Sequence, residues 1–475
     1  DQINSIEMGR FQWLLVVIFG LITISDGMEM VVISLLYSAL HDEWGLSKIE
    51  EGVLAGFIFV GFLCGNIVGG YLGDRWGRRN TLLLSGTVFV VAAAASAFAP
   101  DLITLCLLRM IVGLAVGCKL PVSVSIMIEF TPANMRGRLG LALAGIAFAV
   151  GESFVCIVGI IIHQVDDSPD WWRSLLLACC IPDVFGIPLA FRFVPESPHF
   201  MLTQGRNAEV EELIAEVAVI NTGSTDCLLQ GGRVKYVKEE GEEGGDEWSL
   251  SQLFAPSLRS ITIFVMTIWM VCSFAYYGHV FSYPIALQER YDMEVENQYF
   301  AVMLAGLAEI PGILVGLLLI DIEGVGRRRS LMVFFFLASG SALLVPLFAD
   351  ATQFLIANMV LKSFINTPFC ILYVFAAELY PTTHRASGIA FCSASSRVAG
   401  ALSPVITAWS LTQSITLTYQ MFAIAMGIGA MAAMTFEFET QHGKLPEFIG
   451  ESYSNATRER PPEARPLKTS VTTQL

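Results

Sequence analysis

Apolar residues in this chain gather into long blocks bounded by charges or by Gly and Pro clusters. Six blocks come first, at 13–40, 52–72, 81–98, 102–128, 139–162 and 174–193. After a polar stretch, six more follow at 260–286, 298–320, 330–348, 353–377, 386–410 and 416–436. A helix needs about 20 apolar residues to cross the hydrocarbon core of a bilayer, and a helix satisfies its backbone hydrogen bonds internally there. The pattern therefore predicts twelve transmembrane helices in an all-α membrane protein. The first block is too long for a signal-peptide core and contains Asp26 and Glu29, so it reads as a span and not as a cleaved leader.

Composition sharpens this picture. Of 475 residues, 54% are hydrophobic and 15% charged, against about 25% charged in soluble domains. The mean hydropathy is +0.61. A soluble chain of this length could not cover its surface with so little charge. The net charge of −15 excludes a basic nucleic-acid footprint. Nine of the ten cysteines lie in apolar blocks and no CxxC spacing occurs, so neither a zinc site nor a disulfide framework is expected. There is no G-x4-G-K-[ST] loop, nucleophile constellation or metal-ligand cluster. An enzyme, a cofactor and direct ATP drive are accordingly not expected.

Basic residues set the topology. The short loops 74–80, 129–138, 321–330 and 378–385 carry nine Lys and Arg, whereas the alternate loops contain only Lys48, Arg173 and Arg290. By the positive-inside rule both termini face the cytoplasm, which leaves the sequon Asn455-Ala456-Thr457 on the wrong side for glycosylation. The expected organisation is a six-helix bundle over 1–193, a cytoplasmic linker over 194–259, a second bundle over 260–440 and a disordered tail over 441–475. The linker contains an amphipathic stretch near Ala208–Val219, an acidic run at Glu239–Glu247, and Trp248–Arg259, which suits a membrane surface. The terminal Thr473-Gln474-Leu475 is a minimal match to ligands of carboxylate-capturing domains.

The two sets of six spans repeat one another. Asp74-Arg75-Trp76-Gly77-Arg78-Arg79 follows span 2, and Asp321 through Arg327-Arg328 follows span 8, 247 positions later. Glu129 and Arg136 follow span 4; Glu378 and Arg385 follow span 10, each 249 positions later. Parallel repeats of this kind place a substrate site near the midplane, where the halves meet. These loop charges read as a cytoplasmic gating network of Asp74, Arg75, Arg78, Arg79, Glu129, Arg136, Asp321, Arg327, Arg328, Glu378 and Arg385. Asp74 is expected to lay its charge against a neighbouring helix N-terminus. The plainer alternative is charge that sets topology alone.

Gly73 through Arg79 resembles the loop motif of the major facilitator superfamily, and Arg109-x3-Gly113-x3-Gly117 resembles its helix-4 motif. Pro195-Glu196-Ser197-Pro198 and Glu378-Leu379-Tyr380-Pro381-Thr382 are similar to motifs of its sugar-porter and organic-ion branches. Gly9 through Trp13, Asp26 through Met30, Tyr276-Tyr277-Gly278 and Ser396-Arg397-Val398 look most like the synaptic vesicle 2-related proteins, with organic cation/anion transporters as near relatives. Two loops depart from those relatives: helices 1 and 2 are joined without a cysteine-rich ectodomain, and helices 7 and 8 without a large glycosylated loop. The resemblance implies two six-helix bundles related by a pseudo-two-fold axis, and transport by alternating access.

A charge near mid-membrane costs roughly 2.5–3.5 kcal/mol, so each one within a span needs a partner, a wet cavity or a function. Asp26 and Glu29 share a face of helix 1. The resemblance to proton-coupled sugar porters implies a titratable Asp26–Arg109 pair, with Glu29 beside it; a permanent ion pair is the alternative. Arg397 can grip a carboxylate bidentately, and its segment is similar to one in organic anion transporters, which favours an anionic substrate over an organic cation held by Asp26 and Glu29. Lys119, Glu152, Glu309 and Lys362 are cavity candidates, with Glu309 ahead of a bend at Pro311-Gly312, and intramembrane pairing is the alternative for each. Tyr276, Tyr277 and Tyr373 can stack on a planar substrate. The expected partners are the lipid bilayer, protons and a small organic ion, in a plasma or vesicle membrane. A transport-inactive scaffold is the competing reading.

Overall fold

A computed structural model describes residues 2–132, 135, 142–166, 168–225, 227–228, 250–322, 324–380 and 382–436. Among the described residues, twelve helices are long and apolar enough to cross a membrane. In the first half they are α1 (Arg10–Leu35), α2 (Lys48–Trp76), α3 (Arg78–Ser96), α4 (Leu102–Phe130), α5 (Gly145–Val165) and α6 (Trp171–Phe193). In the second half they are α7 (Arg259–Tyr291), α8 (Val295–Ile320), α9 (Gly326–Leu347), α10 (Ala351–Leu379), α11 (Thr382–Gln413) and α12 (Ile415–Thr435). They form two six-helix bundles of the major facilitator fold. The first apolar block divides at Leu36, where α1 ends and a short helix, Tyr37–Trp44, turns away.

Local chemistry sets the ends. Ser47 and Glu50 form a capping box at the start of α2, at 2.8 and 3.3 Å. Asp101 caps α4 through the Thr104 N–H at 2.8 Å, and Asp350, 249 positions on, caps α10 through the Gln353 N–H at 3.1 Å. The repeat thus reaches into the caps. Within the first bundle α2 and α4 touch backbone to backbone: a Cβ on Gly65 would sit 2.2 Å from the Leu114 carbonyl oxygen, and one on Gly113 would sit 1.9 Å from that of Ile58. Small residues are what permit such close crossing.

The amphipathic stretch of the linker forms a helix, Asn207–Thr222. Its Val210, Ile214, Val217 and Ala218 pack against Ile6, Phe11 and Leu15. Asn221 accepts from the Phe11 N–H at 3.0 Å and donates to Gln12 at 2.8 Å. The acidic run Glu239–Glu247, Arg136, the sequon and the terminal Thr473-Gln474-Leu475 lie outside the described residues.

Two helices break inside the membrane. α6 turns at Cys180, and α8 at Ala308 just ahead of Pro311. A proline cannot donate to the carbonyl four residues before it, so the carbonyls of Ala178, before Pro182, and of Leu307, before Pro311, lose their usual N–H donors and the helix restarts. Asp183 and Glu309 each stand in the first turn of the restarted segment. The positive end of a helix dipole favours a carboxylate there.

Candidate substrate and coupling sites

Among the described residues, four Lys and Arg side chains are buried in the bundles: Arg109, Lys119, Lys362 and Arg397. The structure distributes the acids among them differently from the expected Asp26–Arg109 pair. Asp26 lies 2.8 Å from Lys119, which also binds Asp183 of α6, and Arg109 instead pairs with Glu29. The antiparallel run of α1 and α4 explains the exchange. Glu29, further along α1, meets Arg109 early in α4, and Asp26 meets Lys119 later in it. Arg109 also donates to the Ser96 hydroxyl at 3.3 Å. Lys119 therefore belongs to the first bundle's own interior and not to the shared cavity.

Glu152, Glu309 and Lys362 form a second cluster, across the boundary between the bundles. Lys362 Nζ lies 2.5 Å from Glu152 Oε2 and 3.1 Å from Glu309 Oε1. The Tyr276 hydroxyl donates to Glu152 at 2.8 Å, with Glu309 at 3.1 Å, and Asn366 Nδ2 donates to Glu309 at 2.5 Å. α8 does break ahead of Pro311-Gly312, but Glu309 is paired with Lys362 and not open to a cavity, and both carboxylates are fully enclosed.

Arg397 lies on the next helix. Its Nη1 donates to the Tyr277 hydroxyl at 3.2 Å, its plane rests 3.8 Å over Phe62, and Tyr373 is near enough to interact with it. Its Nε has no hydrogen-bond partner. Among the described residues it is the buried cation without a carboxylate. Phe59 packs on Tyr277 at 4.4 Å, and Tyr276 meets Tyr277 edge-on at 5.2 Å. Tyr373 stacks edge-on against Trp269 at 4.5 Å.

The loop motifs brace each bundle from within. Arg78 pairs with Glu129, and its counterpart Arg327 pairs with Glu378 at 3.1 Å. Arg79 donates to the Val194 and Phe191 carbonyls at the end of α6, at 2.7 and 2.6 Å, and Arg328 likewise donates to the Phe436 carbonyl past the end of α12. Each guanidinium meets the negative end of a helix. The acid at the start of α3 is Glu196 and not Asp74: it accepts from the Arg78 and Arg79 N–H groups at 2.9 and 3.0 Å. Gly77, at φ +101, lets it approach, since a Cβ there would lie 2.3 Å from Glu196 Oε2. Asp74 is exposed, and Arg75 turns onto Tyr71. Asp321 closes the helical segment Glu309–Asp321, one residue past the bound of α8, and Arg385 stands near the start of α11.

Sequence reasoning passed over Asp183, although an acid inside an apolar block was the available signal. It also passed over Asn366, which an uncharged side chain does not flag, and a set of ties between bundles on the face remote from the N-terminus. There Lys48 pairs with Glu289, His163 Nδ1 lies 3.0 Å from Glu296, and the Tyr299 hydroxyl donates to the Leu35 carbonyl at 2.6 Å. The repeat also relates the Glu29–Arg109 pair to His279 and Asn358, 250 and 249 positions on, which form a buried neutral pair at 3.0 Å.

Comparison with known proteins agrees with this architecture. A family model described as "Sugar (and other) transporter" matches residues 12–449. The synaptic vesicle 2-related protein of Xenopus laevis is 28% identical over 94% of this chain and 82% of its own length. Organic cation/carnitine transporter 7 of Arabidopsis thaliana is 27% identical over 95% of this chain and 96% of its own. The niacin transporter of Acinetobacter baylyi is 26% identical over 95% of this chain and 99% of its own. The inward-open xylose transporter XylE from E. coli superposes with a TM-score of 0.71 at 17% identity, covering 94% of this chain and 99% of its own. These relatives and this fold are those of transporters, not enzymes. The chain is a multi-pass membrane protein that belongs to the sugar (and other) transporter family of the major facilitator superfamily.

Proposed function

We propose that this protein is a secondary active transporter that carries a small organic anion of the monocarboxylate type, together with a proton, by alternating access. Arg397 carries the substrate half of this reading. Arg109, Lys119 and Lys362 each rest on carboxylates, whereas Arg397 has a tyrosine hydroxyl, an aromatic face and an unused Nε donor. A planar guanidinium with donors in hand matches a carboxylate, and Phe59, Phe62 and Tyr277 supply rings to enclose its organic body. Two relatives are named for niacin and for carnitine, and both molecules contain a carboxylate.

Charge balance supports coupling. With Glu152, Glu309 and Lys362 ionised, the cluster holds one net negative charge, which Arg397 offsets. A substrate carboxylate on Arg397 leaves one negative charge in excess, and a proton on Glu152 or Glu309 removes it. Burying unbalanced charge costs several kcal/mol, so substrate and proton favour binding together. Protonation of Glu152 also weakens its tie to Lys362 across the bundles, which links the proton to rocking. Asp26 and Asp183 around Lys119 give the first bundle a second group of the same kind, with Glu29 and Arg109 beside it.

The basic loops favour cytoplasmic termini. The ties Lys48–Glu289 and His163–Glu296 then close the outer face, so this conformation faces inward, and the Arg78–Glu129 and Arg327–Glu378 braces keep each bundle rigid as it moves. The synaptic vesicle 2-related relatives favour a vesicle membrane. An organic cation is the second reading, since two acids outnumber Lys362 in the cluster. Uptake into proteoliposomes under a pH gradient, for a monocarboxylate panel and a quaternary ammonium panel, separates the two. If R397A left anion uptake intact, the anion reading would fail.

A further inference from the structure

Away from the interior, a cavity of about 660 Å³ opens where α1 and α3 begin, α6 ends and the linker helix Asn207–Thr222 lies across them. Arg10, Arg79, Arg192 and Arg206 line it, with Glu196 and Glu216, over apolar walls that include Phe11 and Val217. Two of the four guanidinium groups are committed: Arg79 to the carbonyls of Val194 and Phe191, and Arg206 to Glu209 at 2.8 Å. Glu196 is likewise engaged by the N–H groups of Arg78 and Arg79. Arg10 and Arg192 are exposed and have no carboxylate partner among the described residues.

The position of these two arginines matters as much as their charge. They stand at the ends of apolar spans, at headgroup depth. Below them the outer face of α6 presents Phe191, Phe185 and Ile181 at 66%, 63% and 50% exposure, and α1 presents Trp13 and Val17 at 54% and 57%. A soluble anion has no use for that apolar surface, but acyl chains do. Arginine beside an aromatic belt at this level is a recognised means of holding anionic lipid.

We infer that this cavity is a binding site for a phospholipid of net negative charge, its phosphate between Arg10 and Arg192 and its acyl chains along α6. A lipid seated there bridges α1, α6 and the linker helix, which binds the linker more firmly to the first bundle. Glu216, on the linker wall, opposes a headgroup of high charge density and favours one that also carries an ammonium, such as phosphatidylserine.

The test measures binding of phosphatidylserine and phosphatidylcholine to the purified full-length chain by native mass spectrometry, with melting temperature as a second readout. Phosphatidylserine is expected to bind roughly 25-fold more tightly than phosphatidylcholine, about fivefold for each arginine, and to raise the melting temperature. In R10Q/R192Q that preference falls by about fivefold per arginine, the effect of one basic residue at an anionic membrane surface. R259Q, which removes an exposed arginine at the start of α7 outside the cavity, retains the preference. Equal binding of the two lipids by the wild type overturns the proposal, and this arm holds even if the double variant fails to fold. An undiminished preference in R10Q/R192Q, or an equal loss in R259Q, also overturns it. If inorganic phosphate stabilises the protein as much as phosphatidylserine does, the site serves a soluble anion and the lipid assignment fails.

Discussion

Lys362 of α10 and Glu152 of α5 meet at 2.5 Å across the boundary between the two bundles. In the proposed transport cycle those bundles move against each other, and this contact sits where that change would act. Removing one partner of a buried ion pair leaves a stranded charge and costs about 3–5 kcal/mol, whereas removing both is close to neutral.

The Glu152–Lys362 pair gives the first prediction. K362M should lower the melting temperature in detergent sharply, because it leaves Glu152 and Glu309 facing each other with no cation between them. E152Q/K362M, which still strands Glu309, should recover part of the loss, and E152Q/E309Q/K362M most of it. Recovery absent in the double variant would mean that the lysine is held by something other than the acids.

Coupling is tested at the same cluster. E152Q and E309Q should each abolish uptake driven by a pH gradient while leaving exchange of labelled for unlabelled substrate measurable, since exchange needs no net proton movement. Gradient-driven accumulation that persists in both variants would remove the cluster from the coupling path.

In the first bundle the partners are shared unequally. Lys119 serves Asp26 and Asp183, so K119M strands two acids, whereas D26N or D183N leaves one acid on the lysine. K119M should be the least stable of the three by calorimetry, by about 3 kcal/mol or more. Arg109, with Glu29 alone, should behave as a simple pair: E29Q/R109Q should be more stable than R109Q.

Arg397 bears on substrate recognition. R397K retains the charge but loses the fork, and R397A loses both. Hydrogen bonds to a charged group contribute about 1.5–3 kcal/mol, so R397A should raise the KM for the anion by about 10- to 100-fold, with R397K in between. A change in kcat with KM untouched would place Arg397 outside the binding step.

On the remote face, Lys48–Glu289 is partly exposed, so its worth is about 1 kcal/mol or less. K48E should therefore shift the conformational balance without unfolding the protein. Labelling of a cysteine introduced at Ser34 from the outside should increase, and the charge swap K48E/E289K should reverse it. Labelling unchanged in K48E would show that the pair does not hold that face closed.

Much of this protein could be read before it was folded. Twelve apolar blocks of sufficient length admit one class of structure, because a bilayer leaves backbone groups no other partner. The repeat of Arg78-Arg79 with Glu129 in Arg327-Arg328 with Glu378 announced two related halves, and in the fold it governs matching ion pairs and helix-end contacts. The buried charges announced themselves by their cost. What the linear pattern could not decide was which charge answers which. Pairing depends on the direction of neighbouring helices, on their rotation about their own axes and on where a proline interrupts them. The antiparallel packing of α1 and α4 sends Asp26 to Lys119 and Glu29 to Arg109. The breaks in α6 and α8 turn Asp183 and Glu309 inward. Among the described residues, only packing leaves Arg397 as the buried cation without an acid, because a neutral tyrosine hydroxyl and a phenylalanine ring occupy the places where a carboxylate would otherwise stand.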